Sequence, residues 1–282
     1  MLFQDECRRK GRWDEPLLEH NNTAWKEWLK DLLNLASLRV PQCYKIKEVG
    51  RAVSVQLLTC CDASQAAYGM VSYLRVTDDL GRIHCSFLYG RAKLAPLKQQ
   101  TIPRLELCAA VLAVNVDRMR EELTMDIKKS FFWTGSILVL QYLANASRRF
   151  HTFVANRVAM IQELSEMKRW RRVGKSMNPE DDESRGLSLG NLIDVCRWIQ
   201  APVFLWKVEE QTPEKPRLPL NLSGDMEVKQ TLAILATGSL ATRDTQTKNA
   251  LYILWARYSN WPYLLRGVAW LRRFIKWLEN IL

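Results

Sequence analysis

Histidine is scarce in this 282-residue sequence, with 3 copies against 41 Lys and Arg and 30 Asp and Glu. His20 and His84 stand alone, without metal-ligand neighbours, so neither marks a metal centre. The 7 cysteines are scattered, none falls in a CxxC pair, and their number is odd. That argues against a disulfide framework or a zinc site and for buried thiols in a reducing compartment. Long apolar runs are missing too. The longest, Leu107 to Val114, falls far short of the ~20 residues a membrane helix needs. The N-terminal stretch MLFQDECRRKGRW carries charges where a signal peptide needs an apolar core. These absences predict a soluble, intracellular chain, cytoplasmic or nuclear, with no secretion and no membrane partner. No Asp-Ser/Thr-Gly triplet occurs, so aspartic-protease chemistry has no support, and no internal repeat is visible.

What is present is an ordinary globular composition, 48% hydrophobic and 25% charged, with a net charge of +11. Such a charge favours a polyanionic partner, nucleic acid before a membrane surface, although a basic soluble protein without such a partner fits equally well.

Three zones follow one another along the chain. Residues 1–53 are rich in Trp and charge. Trp25, Trp28, Leu29, Leu32, Leu33 and Leu35 recur near helical spacing and predict one amphipathic helix whose Trp stripe is core. Residues 54–190 are the best organised. Alternation from Val53 to Leu57 predicts a strand running to Cys61, followed by strands over 67–76 and 83–89 around an Asp78-Asp79-x-Gly81 turn. Pro103 opens a helix over 105–123 that is apolar on nearly every face and is therefore expected to be buried. Phe131-Phe132-Trp133 reads as a short strand, helices follow near 137–144 and 150–167, and 170–173 is a last strand. Asn178-Pro179 then provides an N-cap and a first-turn proline. The order β-β-β-α-β-α-α-β-α predicts an α/β layer fold with a mixed sheet. Residues 191–282 hold a proline-rich linker from Gln211 and an aromatic, basic helical stretch from Leu251.

Three carboxylates sit where a globular domain does not ordinarily put them. Asp62 ends an apolar strand, Glu106 is the only charge between Arg104 and Asp117, and Asp181 lies in the first turn after Pro179. Each has a local explanation: a turn cap for Asp62, a partner in Arg104 or Lys98 for Glu106, a helix dipole for Asp181. Together they can converge on one point. Convergent carboxylates repel unless a divalent cation neutralises them, and hard oxygen ligands suit Mg²⁺ or Mn²⁺. Two such ions about 3.5–4 Å apart would hold a phosphodiester for in-line attack by water.

Several segments carry a family resemblance. They are Cys61-Asp62-Ala63-Ser64 with Tyr68-Gly69, Ala95-Pro96-Leu97-Lys98, Thr101 to Leu107, Arg148-Arg149-Phe150, Phe153 to Arg157, and Asn178 to Gly186. In this order they resemble the Pol polyprotein of BEL/Pao-type LTR retrotransposons, in the region some schemes label a Pao peptidase. The resemblance implies an RNase H-like mixed five-stranded sheet with flanking helices, plus helical N- and C-terminal extensions. It casts 1–53 as a remnant of the reverse-transcriptase end, 54–190 as the RNase H-like domain, and 191–282 as linker and connector before an absent integrase. The implied reaction is hydrolysis of RNA in RNA–DNA hybrids at a site of four carboxylates binding Mg²⁺ or Mn²⁺. Asp62, Glu106 and Asp181 take the first, second and fourth places, with Asp182 as substitute for the last.

The third place is vacant. The family pattern puts an Asp in a Trp-Thr-Asp-Ser setting, and this chain has Trp133-Thr134-Gly135-Ser136. Arg172 also stands where many relatives carry a His that helps product leave. Cleavage is therefore expected to be very weak or lost, with a non-enzymatic relic that binds nucleic acid or a protein as the alternative. Binding to a hybrid or another nucleic acid is assigned to Arg148, Arg149, Arg157, Arg171 and Arg172, which lie in basic stretches interleaved with aromatics. A solvated helix face is the plain alternative for these charges.

Overall fold

In the computed structural model the described residues are 2–12, 14–40, 50–123, 125–145, 149–186, 190, 197–207, 222 and 224–229, without the side chains of 121, 175, 182, 183 and 185. The expectations for Arg148, for the Asp182 side chain and for the helical stretch from Leu251 lie outside them. The residues up to Gln230 form one compact unit.

Two helices, α1 (Leu2–Arg9) and α2 (Glu19–Asn34), precede the sheet. The strands are β1 (Ala52–Ala63), β2 (Ala67–Asp78), β3 (Ile83–Leu94), β4 (Lys129–Thr134) and β5 (Trp170–Arg172). They lie side by side in the order β3-β2-β1-β4-β5. The first three form an antiparallel meander, while β4 runs parallel to β1, and β5 parallel to β4. This is the expected mixed five-stranded sheet. β1 sits at its centre, which explains the unbroken burial from Val55 to Asp62. The turn between β2 and β3 is fixed by Asp78, whose carboxylate accepts from the backbone N–H of Leu80 and Arg82 at 3.0 and 2.8 Å. Gly81 takes a φ of +76° there, which a side chain would resist.

Helix α3 (Ile102–Val116) has Pro103 in its first turn and buries Leu105, Leu107, Ala109, Ala110, Ala113 and Val114. It packs on β1, β2 and α5 (Thr152–Leu164), with α4 (Ile137–Ala144) alongside. Small alanines in the middle of α3 allow this close approach. α3 is shorter than the periodicity suggests: regular helix ends at Val116, and a 3-10 turn carries on to Glu121. Asp117, at that junction, accepts a hydrogen bond from Ser130 and draws Arg169 to 3.7 Å. β3 runs to Leu94, beyond the expected Tyr89, because it pairs along the full length of β2. α5 starts only at Thr152, since Phe150 instead bridges to Val228, and it ends at Leu164, with a separate 3-10 turn over Met167–Arg169.

The opposite face of the sheet is covered by the helical turns Arg197–Gln200 and Val203–Trp206. Ala201, Phe204 and Leu205 pack there against Leu58, Cys60, Tyr73 and Trp133. The Tyr73 hydroxyl donates to the Trp198 carbonyl at 2.7 Å. Residues 225–229 lie along 149–151 and are tied by Tyr142 Oη to Asp225 at 2.7 Å and by an Arg104–Glu227 ion pair. One expectation fails. The Trp stripe of α2 is not core: Trp25 stacks on Trp28, but Trp28 remains 49% exposed and Leu33 80%. The helix keeps its amphipathic pattern, but among the described residues its apolar face is covered only in part, by Phe3 of α1 edge-on against Trp25. None of the described helices is long and apolar enough to cross a membrane.

Candidate functional site

The expected acidic residues border one cleft at the carboxyl end of β1. Asp62 is the last residue but one of that strand and is buried. Its register partners are Gly69 on β2 and, one residue earlier at Cys61, Thr134 on β4. Gly135 therefore comes level with Asp62 where the chain leaves β4. Glu106 projects from the second turn of α3, and Asp181 from the first turn of α6 (Glu180–Arg185). Asp62, Glu106 and Asp181 line one open cleft of about 460 Å³, with Ser64 and Ile102 on its walls.

Two side chains that local sequence reasoning does not rank as functional hold this arrangement. Ser136 is the N-cap of α4: its hydroxyl oxygen accepts from the Val139 N–H at 3.3 Å, and its proton goes to Glu106 Oε2. One residue thus starts a helix and fixes a cleft carboxylate. Asn178, fully buried, accepts from the Glu180 N–H at 3.3 Å and donates from Nδ2 to the Cys61 carbonyl at 3.1 Å. The first bond is the expected helix cap. The second ties α6 to the end of β1 and so sets Asp181 opposite Asp62. A further tie runs from the Ser64 hydroxyl to the Ser184 carbonyl. Glu180, beside Asp181, is also fully buried and accepts from the Trp198 indole at 3.0 Å. No signal in the sequence separates Glu180 from its acidic neighbours. The cue for Ser136 is its place after the Trp-Thr-Gly triplet.

Gly135 leaves room. A Cβ built on it would stand 3.8 Å from Asp62 Oδ1 and 3.9 Å from the Val173 carbonyl, ordinary contact distances. A side chain at this position would therefore enter beside Asp62 without a clash. The neighbouring thiols are inert. Burial, reinforced by the charge of Asp62, pushes the Cys61 thiol well above its ordinary range, and burial with Glu180 does the same to Cys60. Neither supplies a thiolate at neutral pH.

The chemistry of the donor set, all carboxylate oxygen, fits a hard divalent cation. Its spacing is looser. Among the described residues no group of three or more His, Cys, Asp or Glu is close enough to hold a metal ion.

The assigned cations do not gather at this cleft. Arg149 is exposed beside the 225–229 segment, and its carbonyl accepts from Lys229. Arg157 lies 3.5 Å over the Phe153 ring and donates to Cys108 Sγ at 3.2 Å, bracing α5 on α3. Arg172 is exposed at the carboxyl end of β5. Arg171 lies 5.1 Å over the Phe131 ring and lines a different cleft, at the amino end of β4.

Comparison with curated protein sequences gives no match. Among solved structures, the chain is similar to the N-terminal RNase H domain of a Mycobacterium tuberculosis protein, fused there to maltose-binding protein. Identity is 14%, coverage 44% of this chain and 86% of that one, and the TM-score 0.31. RNase H1 from the halophilic archaeon Halobacterium salinarum shares 13% identity over 45% of this chain and 90% of its own, with a TM-score of 0.30. LC11-RNase H1, solved in complex with an RNA/DNA hybrid, shares 14% over 44% and 88%, with a TM-score of 0.30. Residues 1–136, which carry Asp62, Glu106 and Gly135, match the family model described as Pao retrotransposon-like RNaseH-like domain.

Proposed function

We propose that this chain is a retrotransposon-derived RNase H-like domain in which hydrolysis of RNA within RNA–DNA hybrids is impaired by Gly135 while nucleic-acid binding persists. The observation that carries the reading is the shared cleft of Asp62, Glu106 and Asp181, with the absent Cβ of Gly135 facing Asp62 at 3.8 Å. Under the same reading residues 1–53 descend from the end of a reverse transcriptase and 191–282 from a connector before an integrase. Phe204 and Leu205 from that connector now complete the core beneath the sheet.

Asp62, Glu106 and Asp181 are the residues that would hold Mg²⁺ or Mn²⁺. When bound, such ions supply Lewis-acid polarisation of a phosphoryl oxygen and an acidified water for in-line hydrolysis. The protein's own part is placement. Ser136 holds the Glu106 carboxylate toward the cleft, Asn178 holds the α6 turn that presents Asp181, and the raised Cys61 thiol keeps its proton and stays out of the ligand set. At Gly135 one oxygen ligand and one negative charge are gone. A water molecule can replace the ligand but not the charge. Loss of one preorganised electrostatic element typically costs about 10²–10³-fold in rate.

The test is cleavage of an RNA–DNA hybrid in Mg²⁺ by the unaltered chain and by Gly135→Asp. The unaltered chain should cut very slowly or not at all, and the variant should gain Mg²⁺-dependent cleavage. Turnover by the unaltered chain at ordinary RNase H rates would sink the impairment. No gain in the variant would sink the site assignment. A second reading, a relic that only binds nucleic acid, is favoured by the net charge of +11. Calorimetric titration with Mg²⁺ and Mn²⁺ separates the two, since only the impaired nuclease retains a carboxylate-dependent metal signal.

A further inference from the structure

The amino ends of β4 and β5 carry a second cleft, of about 310 Å³, that the carboxylate site does not use. Parallel neighbours bring their starting ends together. Lys129 opens β4, and the 3-10 turn Met167–Arg169 leads into β5 at Trp170, whose register partner is Phe132. Lys128, Lys129, Lys168, Arg169 and Arg171 line the cleft, and Glu166 is the one carboxylate among the lining residues. Glu166 is already engaged by Lys168 and lies 3.8 Å from Arg169. Beneath the rim, Asp117 faces Arg120 at 3.9 Å and Arg169 at 3.7 Å and accepts from Ser130, so the buried charge is balanced locally.

Lining cations thus outnumber lining carboxylates five to one. Crowding like charges into a concave site raises the local potential, which a polyanion relieves. The flat guanidinium of Arg171, packed over Phe131, adds a face on which a base or sugar can stack.

We propose that this cleft is a second nucleic-acid contact that grips phosphodiester groups at the end of the sheet opposite the carboxylates. It rests on the nucleic-acid reading above and adds a location that the reading does not contain. Lys129 and Gly135 are separated by the length of β4, about 20 Å at ~3.3 Å per residue. A strand reaching both ends therefore covers at least roughly six nucleotide steps.

The experiment is fluorescence anisotropy of a labelled RNA–DNA hybrid with the full chain across a salt series. Lys128→Glu/Lys129→Glu should weaken binding about tenfold or more and make the salt dependence shallower by about 1.8 in slope, the value for two lost phosphate contacts. Lys26→Glu/Lys30→Glu on exposed positions of α2 makes the same change in net charge and should cost far less. Equal losses in the two pairs overturn the proposal, because net charge alone then explains binding. No binding by the unaltered chain overturns both this proposal and the nucleic-acid reading. Binding that persists with both pairs altered overturns this proposal alone. Photo-crosslinking of a thiouridine-containing hybrid to the unaltered chain gives a readout that needs no variant to fold. Adducts should fall on peptides holding Lys128–Lys129 or Lys168–Arg171, and adducts confined to other peptides overturn the assignment.

Discussion

The two ends of β4 carry opposite chemistry on the same scaffold. At its carboxyl end, Asp62, Glu106 and Asp181 line one cleft, and the bare Gly135 stands beside Asp62. At its amino end, Lys128, Lys129, Lys168, Arg169 and Arg171 share another. The acidic end is assembled from residues scattered along the chain and held by single polar ties such as Ser136–Glu106 and Asn178–Cys61. The basic end comes from two short local runs brought together by strand pairing. Scattered residues held by few bonds make a site that one substitution can disable. Local runs on strand ends make a surface that tolerates single losses.

The sharpest way to test this contrast is Gly135→Asp, which should raise Mg²⁺-dependent cleavage about 10²–10³-fold while leaving binding at the basic end unchanged. Next comes Leu107→Ala. Leu107 is fully buried beside Glu106, and its truncation should cost about 2–5 kcal/mol in urea unfolding. Because α3 carries the acidic end, any restored cleavage should fall with it. Asn178→Ala leaves the Cys61 carbonyl and the Glu180 N–H without their partner and should cost about 1–3 kcal/mol. It should also abolish the gain from Gly135→Asp when the two are combined, while hybrid binding through the basic end persists. Equal damage to both ends would break the contrast.

A smaller effect is expected with pH. Burial raises the Cys60 and Cys61 thiols well above 9.0 and pushes Cys85 up to about 12. The unfolded chain loses these protons first, so stability is whole below pH 9 and falls as pH climbs from 9 toward 12. Urea midpoints taken at neutral pH and above pH 9 should show the decline, and a flat profile would contradict the burial of these thiols. Smallest of all, Tyr142→Phe removes one hydroxyl tie to Asp225 and should cost about 0.5–1.5 kcal/mol, with neither cleft altered.

The fold was largely legible because the period of the apolar pattern changes at each element. Val55, Leu57, Leu58 and Cys60 mark a central strand, and the unbroken apolar surface of α3 marks a buried helix. The carboxylates were legible by their cost: a charge in so apolar a helix as α3 calls for a reason, and Glu106 has one in the cleft. The ties were not. Nothing in Asn178 announces a bond to a carbonyl across the domain, since cap chemistry already accounts for an Asn before a Pro. The packing of Phe204 and Leu205 under the sheet was hidden for a related reason: short helical turns carry too few residues to show a period. The Trp stripe of α2 misled in the other direction, because amphipathicity states that a face wants cover without stating that this chain provides it. The cationic runs were legible as runs, but which end of the sheet each one serves depends on strand direction.

The bond from Asn178 to the Cys61 carbonyl also sets a timetable. Its partners are 117 residues apart, which a ribosome takes roughly ten seconds to add. Until then β1 has its meander and its parallel neighbour β4, but not the turn that brings Asp181 across. A nascent chain that has emerged only to Ser136 contains every residue of the family match and still has an open, unfinished pocket. The acidic end is therefore among the last parts of the domain to close during synthesis, and a message cut short before Asn178 encodes the signature without the site.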